Sequence, residues 1–330
     1  MGAVPRWTIV SVVLGVMVGS MGVVACEPAP RECPPTISPL HGPAGDCLRF
    51  GVSTPSGPLR PAEVAAVTDL VGVRPTVNLF FEDFTAIPPI AALDAVVASG
   101  AEPVVTWEPW RHLGGDDYDW GAFTMSSIVA GAHDDYLYRW ADELVAWGGV
   151  VYLRFAHEPN GDWYPWSPAG GTSPELYIAA WRHVHDLCAS KNATNVKWVW
   201  APNVPLSDDA PLSRWYPGDT YVDVLGIDGY NWGAVPGHRW TPPAELFADS
   251  FAQLRNLSSD TPILVTEVGS TEAGGSKADW IADLVTYLDD ADDVTGFVWF
   301  DHDKEADWRL GSTAAAGAAM AHALEKAGLR

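Results

Sequence analysis

Two glutamates stand at the ends of apolar runs, where they could act together. Glu158 lies in RFAHEPNGDWYPW, directly after one run, and Glu267 ends the run PILVTE. A carboxyl pair suits hydrolysis of a glycosidic bond: one group protonates the leaving oxygen, and the other attacks the sugar or activates water. The two residues therefore predict acid and nucleophile chemistry, provided that the fold brings them together.

The surroundings of the two glutamates suggest different roles. The acid must stay protonated near neutral pH, which requires a poorly solvated environment. Three large aromatic residues, Trp163, Tyr164 and Trp166, follow Glu158 within eight positions. We therefore expect Glu158 to be the acid and Glu267 the ionised nucleophile. The alternative for either carboxylate is a structural role, in which it binds a neighbouring arginine or a loop backbone.

Eight short apolar runs alternate with helix-period segments, although the stretch after the fifth run is short and irregular. The alternation predicts a single (β/α)₈ barrel over residues 48–330, with its active site at the loops that follow the strands. The runs are LRFGV from Leu48, TVNLFF from Thr76, PVVTW from Pro103, VVYLRFA from Val150, VKWVWA from Val196, VDVLGI from Val222, PILVTE from Pro262 and VTGFVWF from Val294.

Strand alternation predicts which side chains enter the barrel. In the fourth run, the residues predicted to face the interior are Tyr152, Arg154, Ala156 and Glu158. In the seventh run, Glu267 is expected to face inward with Ile263 and Val265 beneath it. Both carboxylates then point into one barrel mouth.

A guanidinium inside a barrel needs a partner, because an unpaired buried charge is strongly destabilising. Asp228 has interior parity in the sixth run and is the expected partner of Arg154. Contact between Arg154 and a ligand is the alternative.

The quoted motifs carry a family resemblance. RFAHEPNGDWYPW resembles the acid/base motif of glycoside hydrolase family 26, in which His-Glu-Met-Asn-Gly or His-Glu-Pro-Asn-Gly ends the fourth strand. PILVTEVGS resembles that family's nucleophile segment on the seventh strand. The resemblance covers nearly the whole chain from about Leu48. It implies a (β/α)₈ barrel and a retaining, double-displacement mechanism without a cofactor or metal.

The resemblance also assigns residues and a substrate class. It implies Glu158 as acid/base, Glu267 as nucleophile, His157 as a residue that shapes the site, and Tyr230 in LGIDGYNWG as a hydrogen-bond donor to the nucleophile. The implied substrate is β-1,4-mannan or mixed-linkage β-1,3/1,4-glucan, with β-1,3-xylan as an alternative. The chain has TWEPW at residues 106–110, where mannanases of the family carry a histidine-bearing segment. This departure disfavours mannan and leaves glucan or xylan open.

The chain has 17 tryptophans, and indole faces can stack on sugar rings. Seven are expected at or just beyond strand ends: Trp107, Trp110, Trp163, Trp166, Trp200, Trp232 and Trp299. We expect Trp163 and Trp299 to be the principal platforms, with Trp107 also in contact with substrate. Packing inside the barrel is the alternative for each. Helical positions predict core roles for Trp140, Trp147 and Trp181.

The first 47 residues indicate export. Residues 1–25 combine Arg6 with a long apolar, small-residue segment, which is typical of a signal peptide. The segment ends in VVAC, which resembles a bacterial lipobox and makes Cys26 a candidate for lipidation; a disulfide at Cys26 is the alternative. Residues 26–47 are proline-dense and predict a tether, in which Cys33 and Cys47 could form a disulfide. Cys188 is expected to be a buried free thiol.

Charge and composition limit the partners. With 19 Lys+Arg against 42 Asp+Glu, the formal net charge is −23, which disfavours nucleic acid and anionic lipid surfaces. We expect a monomer that binds a neutral polysaccharide. Two alternatives remain: a metal site formed by Asp301, His302, Asp303 and Asp307, and a non-catalytic sugar-binding barrel, although binding alone does not need a nucleophile.

Overall fold

In a computed structural model, the chain forms a closed barrel of eight parallel strands. The structure describes residues 1–2, 33, 38–42, 47–115, 117–205 and 211–329. Residues 3–25 of the predicted signal peptide, and Cys26, lie outside the described ranges. The barrel strands are β1 (Arg49–Ser53), β2 (Val77–Asp83), β3 (Glu102–Glu108), β6 (Val151–Phe155), β7 (Val196–Trp200), β8 (Val224–Asn231), β9 (Ile263–Ser270) and β10 (Val294–Phe300).

Each of the eight predicted runs corresponds to one barrel strand, so the predicted fold is confirmed. An antiparallel hairpin of β4 (Arg111–Gly114) and β5 (Asp117–Asp119) follows β3 and was not predicted. Its strands are only four and three residues long and carry mostly exposed polar side chains, so they have no apolar periodicity to detect.

Helices cover the outside of the barrel. They are α1 (Pro61–Val71), α2 (Ile90–Ala98), α3 (Met125–Val129), α4 (Asp134–Trp147), α5 (Pro174–Ser190), α6 (Pro243–Leu257), α7 (Lys277–Asp289) and α8 (Ala314–Lys326). Between β7 and β8, the described residues form only the 3₁₀ turns Leu212–Trp215 and Asp219–Tyr221, in agreement with the short and irregular fifth connection. No helix in the described ranges is long and apolar enough to cross a membrane.

Local sequence explains where several helices begin and end. Proline opens α1, α5 and α6, where its missing N–H has no intrahelical partner to lose. Ser173 caps α5 by accepting the backbone N–H of Leu176 at 3.3 Å. Gly72 and Gly148 end α1 and α4 with φ of 71° and 76°, a left-handed conformation that favours glycine.

The centre of the barrel contains an apolar layer that includes a residue from the predicted tether. The layer consists of Leu40, Val77, Leu79, Val104, Tyr152, Val199, Val224, Leu264 and Val298. Leu40 is fully buried, and its backbone N–H donates to Glu102 Oε2 at 3.3 Å. Leu40, which lies in the predicted tether, therefore packs into the barrel ahead of the predicted domain start at Leu48.

The predicted thiol states are also present in the structure. Cys33 and Cys47 form a disulfide with Cα atoms 5.7 Å apart, which ties the segment containing Leu40 to the start of β1. Cys188 is a buried free thiol, and burial raises its pKa to about 12. Such a thiol is inert near neutral pH.

A bulge in β9 determines how its last residues enter the barrel. Ile227 pairs with Val265, but Asp228 pairs with Glu267, so Thr266 is the extra residue. Thr266 and Glu267 both reach the interior. Ile263 and Val265 belong to the outer core with the helices, so their predicted inward orientation is wrong. The inward orientation of Glu267 is confirmed, but it results from the bulge at Thr266 and not from the regular alternation on which the prediction was based.

Candidate active site

A buried arginine organises the barrel mouth. Arg154 has no exposed surface, and its Nε donates to Thr106 Oγ1 at 2.9 Å. Its Nη1 donates to Asp228 Oδ2 at 2.6 Å, which confirms the predicted pair. Its Nη2 donates to Glu267 Oε1, a contact that was not predicted. All three arms of the guanidinium have partners, which offsets the cost of burying its charge.

Glu267 is held at both carboxyl oxygens. Arg154 binds Oε1, and Tyr230 Oη donates to Oε2 at 2.5 Å. Burial raises the pKa of Tyr230 well above its ordinary value, and the nearby Glu267 adds to that shift. The phenol therefore stays protonated and acts as a donor, the role that the family resemblance implies for Tyr230. Two donors aimed at one carboxylate suit a fixed, ionised nucleophile.

Glu158 lies three residues beyond the end of β6, in a backbone that turns sharply. Ala156 and Glu158 have φ of 45° and 50°, which non-glycine residues rarely adopt. The backbone N–H of Glu158 donates to the carbonyl of Ala201 at 2.7 Å, just after β7, and this bond holds the turn in place. Such strain is found at sites where the surrounding structure fixes a functional side chain.

The environment of Glu158 favours the protonated form. The residue is only 6% exposed, and burial raises the pKa of its carboxyl well above the ordinary value. The negative charges of Asp228 and Glu267 raise the pKa further. A carboxyl group that stays protonated near neutral pH can deliver a proton. The predicted division of roles between Glu158 and Glu267 therefore agrees with their surroundings.

Trp163 touches the acid directly. Its Nε1 donates to Glu158 Oε2 at 2.7 Å, while 36% of the residue remains exposed. Gly161 makes room for the ring, because a Cβ at that position would lie 2.6 Å from the indole. An indole fixed at the acid and partly open to solvent has the placement expected of a sugar platform. Its hydrogen bond lowers the pKa of Glu158, whereas the sequence argument expected only exclusion of water.

His157 shapes the same loop from inside. It is 1% exposed, its Nε2 is 3.0 Å from Tyr164 Oη, and its carbonyl accepts Trp166 Nε1 at 2.6 Å. Burial lowers the pKa of His157 well below the ordinary value, so the ring is neutral. Among the described residues, its Nδ1 has no hydrogen-bond partner. The histidine thus fixes the aromatic loop around Glu158.

The expectation that Trp107 contacts substrate is wrong. Trp107 is fully buried and stacks on Trp140 of α4 with ring centroids 4.3 Å apart. Its indole N–H is 3.1 Å from Tyr136 Oη. The ring therefore packs between β3 and a helix, not in the mouth.

Trp299 is also misassigned as a sugar platform. It is fully buried, donates its indole N–H to the carbonyl of Trp308 at 2.9 Å, and packs edge-on against Trp280 of α7. The neighbouring Val298 belongs to the inner layer, so Trp299 faces the helices. Its role as a platform assumed that it faces the barrel interior, but a register shift between Val294 and Gly296 in the pairing with β9 exchanges the faces of the residues that follow.

The other tryptophans divide between the core and the surface. Three strand-end residues are buried, as the packing alternative states: Trp110, Trp166 and Trp200. Trp232 is half-buried and stacks on His238. The predicted core roles are confirmed for Trp140 and Trp181, whereas Trp147 is only half-buried and bonds Asp94 at 2.8 Å.

A third glutamate in the mouth was not predicted to be functional. Glu108 ends β3, is 9% exposed and accepts Trp110 Nε1 at 3.2 Å. Burial raises its pKa to about 8. The sequence could have indicated this residue, because Glu108 in TWEPW directly follows the third predicted strand. We interpreted the motif only as a departure from the mannanase pattern.

The metal-site alternative rests on four residues that already have partners. Asp303 and Asp307 both pair with Arg309, at 3.2 and 2.7 Å. His302 bonds a serine hydroxyl of β1 at 3.0 Å, and Asp301 accepts a backbone N–H at 2.7 Å. Within the described ranges, no group of three or more His, Cys, Asp or Glu side chains could hold a metal ion.

Comparison with solved structures agrees with this barrel. The catalytic domain of an endo-β-1,4-mannanase from Bacillus sp. JAMB-750 superposes with a TM-score of 0.62 at 19% identity, covering 86% of both chains. The family 26 domain of an endo-β-mannanase/endo-β-glucanase from Prevotella bryantii gives 0.60 at 16% identity, covering 83% of this chain and 88% of that domain. At these identities the likeness shows the fold alone.

Sequence comparison gives nearer relatives. Endoglucanase H of Acetivibrio thermocellus is 37% identical over 249 residues, which cover 73% of this chain and 26% of that protein. Mannan endo-1,4-β-mannosidase A and B of Caldalkalibacillus mannanilyticus is 28% identical over 145 residues, 42% of this chain and 25% of that protein. The matches thus span about a quarter of the length of these relatives.

The family assignment follows from the match to the family model. The sequence model described as glycosyl hydrolase family 26 matches residues 130–304, more than half of the 330-residue chain. The matched range contains both Glu158 and Glu267. The chain therefore belongs to glycosyl hydrolase family 26.

Proposed function

We propose that the protein is a retaining glycoside hydrolase that cleaves a β-linked plant-type polysaccharide by double displacement. The observation that carries the proposal is the contrast between its two glutamates. Glu158 is a buried acid with a raised pKa, whereas Glu267 is a carboxylate held by Arg154 and Tyr230 in the same mouth. This division of labour is what retaining hydrolysis requires.

The reaction follows from these positions. Glu158 donates its proton to the glycosidic oxygen while Glu267 attacks the anomeric carbon, and a covalent glycosyl-enzyme forms as the leaving group departs. Glu158 then accepts a proton from water, and the hydroxide equivalent displaces Glu267. Trp163 provides an aromatic face for a sugar ring beside the acid.

Mixed-linkage β-1,3/1,4-glucan is the substrate that we favour. The relative named endoglucanase H shares 37% identity over 73% of the chain, and TWEPW lacks the histidine of the mannanases. β-1,4-Mannan is the second candidate, since relatives named mannan endo-1,4-β-mannosidase match shorter parts at 27–32% identity. A β-1,3-xylanase of Alcaligenes sp. is 26% identical over 48% of the chain.

A glycan screen tests the activity. Mixed-linkage β-glucan, β-mannan, β-1,3-xylan and cellulose are incubated with the protein and with Glu267→Ala, and released sugars are measured. We expect release from mixed-linkage glucan by the wild type only. Release from mannan or xylan alone would change the substrate assignment, and no release from any glycan would support the non-catalytic alternative.

The stereochemistry of the first product tests the mechanism. Proton NMR at early times should show retention of the anomeric configuration, with the two carboxyl groups about 5–5.5 Å apart in a crystal structure. Inversion, or a separation of about 6.5–9.5 Å, would refute double displacement.

We further propose that the protein is exported and attached to the outer face of a bacterial membrane through lipid on Cys26, and that it acts as a monomer. The apolar segment ending in VVAC and the Cys33–Cys47 disulfide support export to an oxidising compartment. Wild-type protein should partition with membranes and Cys26→Ser should not. Identical partitioning would leave a plain secreted protein, and light scattering tests the monomer.

A further inference from the structure

Glu108 is a mouth carboxyl group that the mechanism above does not use. It is the last residue of β3. Its backbone carbonyl accepts the N–H groups of Phe84 at 3.0 Å and Trp110 at 2.8 Å, which fixes the main chain at this point. Its Oε2 accepts the indole N–H of Trp110 at 3.2 Å. Main chain and side chain are thus both held in place.

The indole that holds Glu108 is itself fixed by three rings. Trp110 stacks on Tyr118 of the β4–β5 hairpin, with centroids 3.9 Å apart and planes 19° apart. It packs edge-on against Tyr164 and Trp166 of the loop that carries Glu158, at 5.3 and 5.2 Å. Because these three rings pack against the indole, its N–H is held in place and the carboxyl group of Glu108 is preorganised.

The second oxygen of Glu108 is available for a ligand. Within the part of the chain that the structure describes, Oε2 has Trp110 as partner and Oε1 has none. Glu108 lies at the carboxyl end of β3, the strand that pairs with β6, and Thr106 two residues before it contacts Arg154, so it belongs to the barrel mouth. Burial raises its pKa to about 8, so that near neutral pH it is a carboxylic acid able to donate and to accept a hydrogen bond.

We propose that Glu108 is a further substrate-binding residue, whose Oε1 hydrogen-bonds a hydroxyl group of the sugar that Glu267 attacks. The inference rests on the proposed function and deepens it, because it names a residue that selects the sugar. A buried polar group left unpaired is costly, so a site built around one hydroxyl discriminates against sugars that lack it or direct it elsewhere. Glu108 thus acts as a determinant of specificity.

A double-mutant cycle, in which the enzyme and the substrate are changed separately and together, tests the contact between Glu108 and the sugar hydroxyl. An aryl β-glycoside of the glycan identified by the screen, and its monodeoxy analogues in the attacked ring, are compared on wild type and Glu108→Ala. For one analogue, wild-type kcat/KM should fall about tenfold relative to the parent, and this fall should vanish in Glu108→Ala. Glu108→Gln, which mimics the neutral acid, should restore the discrimination between the parent glycoside and that analogue which Glu108→Ala loses.

Controls separate binding from folding. Asp94 is an exposed carboxylate that also accepts an indole N–H, from Trp147 at 2.8 Å, so Asp94→Ala should leave every kcat/KM value unchanged. If Glu108→Ala does not fold, Glu108→Met fills the same volume and repeats the cycle.

Two further outcomes keep the inference distinct from the proposed function. An active wild type in which the Glu108 variant loses the same factor on the parent and on every analogue would overturn the inference alone. A wild type that hydrolyses no glycan and no aryl glycoside would overturn the proposed function and this inference with it.

Discussion

The indole Nε1 of Trp163 donates to Oε2 of Glu158 across 2.7 Å, although both residues lie on one loop outside any strand. This bond stabilises the charged carboxylate and lowers the pKa of Glu158. Burial acts in the opposite direction and is the larger effect, and Asp228 and Glu267 reinforce it. The acid therefore stays protonated, with Trp163 moderating the shift and fixing the side chain.

Trp163→Phe should raise the pKa of Glu158, because it removes the N–H donor and keeps an apolar ring. Activity that depends on protonated Glu158 is lost as pH rises through its pKa, so the basic limb of the pH–kcat/KM profile should move to higher pH. Trp163→Ala also admits water to the site, which lowers the pKa of Glu158. The basic limb of this variant should therefore lie at lower pH than that of Trp163→Phe.

The same two variants distinguish the contribution of Trp163 to substrate binding from its effect on the acid. Loss of a stacking ring in Trp163→Ala should raise KM about fivefold, corresponding to about 1 kcal/mol, whereas Trp163→Phe should largely preserve it. A basic limb that does not move in Trp163→Phe would mean that the indole N–H has no influence on the acid.

Removing each glutamate should give different losses on different substrates. Glu267→Ala should abolish turnover of every substrate, because no covalent intermediate can form. Glu158→Ala should lose about 10²–10⁴-fold on polysaccharide but far less on aryl glycosides, whose leaving groups need little protonation. Steady-state rates on both substrates decide the assignment, and equal losses in Glu158→Ala would exclude it as the acid.

Tyr230→Phe should reduce kcat without unfolding the barrel. The variant loses the 2.5 Å bond to Glu267, and a bond to a charged group contributes about 1.5–3 kcal/mol, or about 10- to 150-fold. The ring still packs against Phe300 and Trp308, with centroids 5.7 and 4.8 Å away.

Tyr216→Phe is the matched control for this variant. Tyr216 Oη donates to the carboxylate of Asp219 at 2.9 Å at an exposed position, and neither residue belongs to the described active site. Its kcat should equal that of the wild type. A similar loss in both variants, with reduced melting temperatures, would assign the effect to folding.

Sequence periodicity predicted the barrel and the residues deep inside it. Tyr152 and Arg154 alternate regularly in β6, and the buried charge of Arg154 demanded a partner, which Asp228 provides. Prediction failed where that regularity ends. The bulge at Thr266 and the register shifts around Trp299 move side chains by one position, and a shift of one residue exchanges the two faces of a strand.

Residues positioned by long-range contacts were the least predictable. Glu108 bonds Trp110 two residues away, but Trp110 is held by Tyr164 and Trp166 of a loop that is distant in sequence, and these contacts do not follow from local spacing. Leu40 lies in a proline-dense stretch that predicts a tether, yet one apolar side chain among prolines suffices to enter the barrel core. Local composition indicates neither the contacts that fix Glu108 nor the burial of Leu40.

Stability should fall as pH rises, and Glu108 should account for part of the fall. Its pKa is about 8 in the folded state against an ordinary value of 4.5, so between these values the folded state binds more protons than the unfolded state. The free energy of unfolding therefore decreases as pH rises from about 4.5 to about 8. Glu108→Gln cannot ionise, so its melting temperature should fall a few degrees less over this range. An identical fall would mean that ionisation of Glu108 costs nothing in the folded state.

Leu40→Ala should destabilise the whole barrel if residues 38–42 belong to the domain. Leu40 is fully buried in the inner layer, and truncating such a leucine costs about 2–5 kcal/mol. Leu59 is 62% exposed, so Leu59→Ala is the matched control and should change the free energy of unfolding by less than about 0.5 kcal/mol. Urea denaturation followed by tryptophan fluorescence measures both. Equal stability of the two variants would show that residues 38–42 are only a tether, since a segment that contributes no burial has no packing to lose.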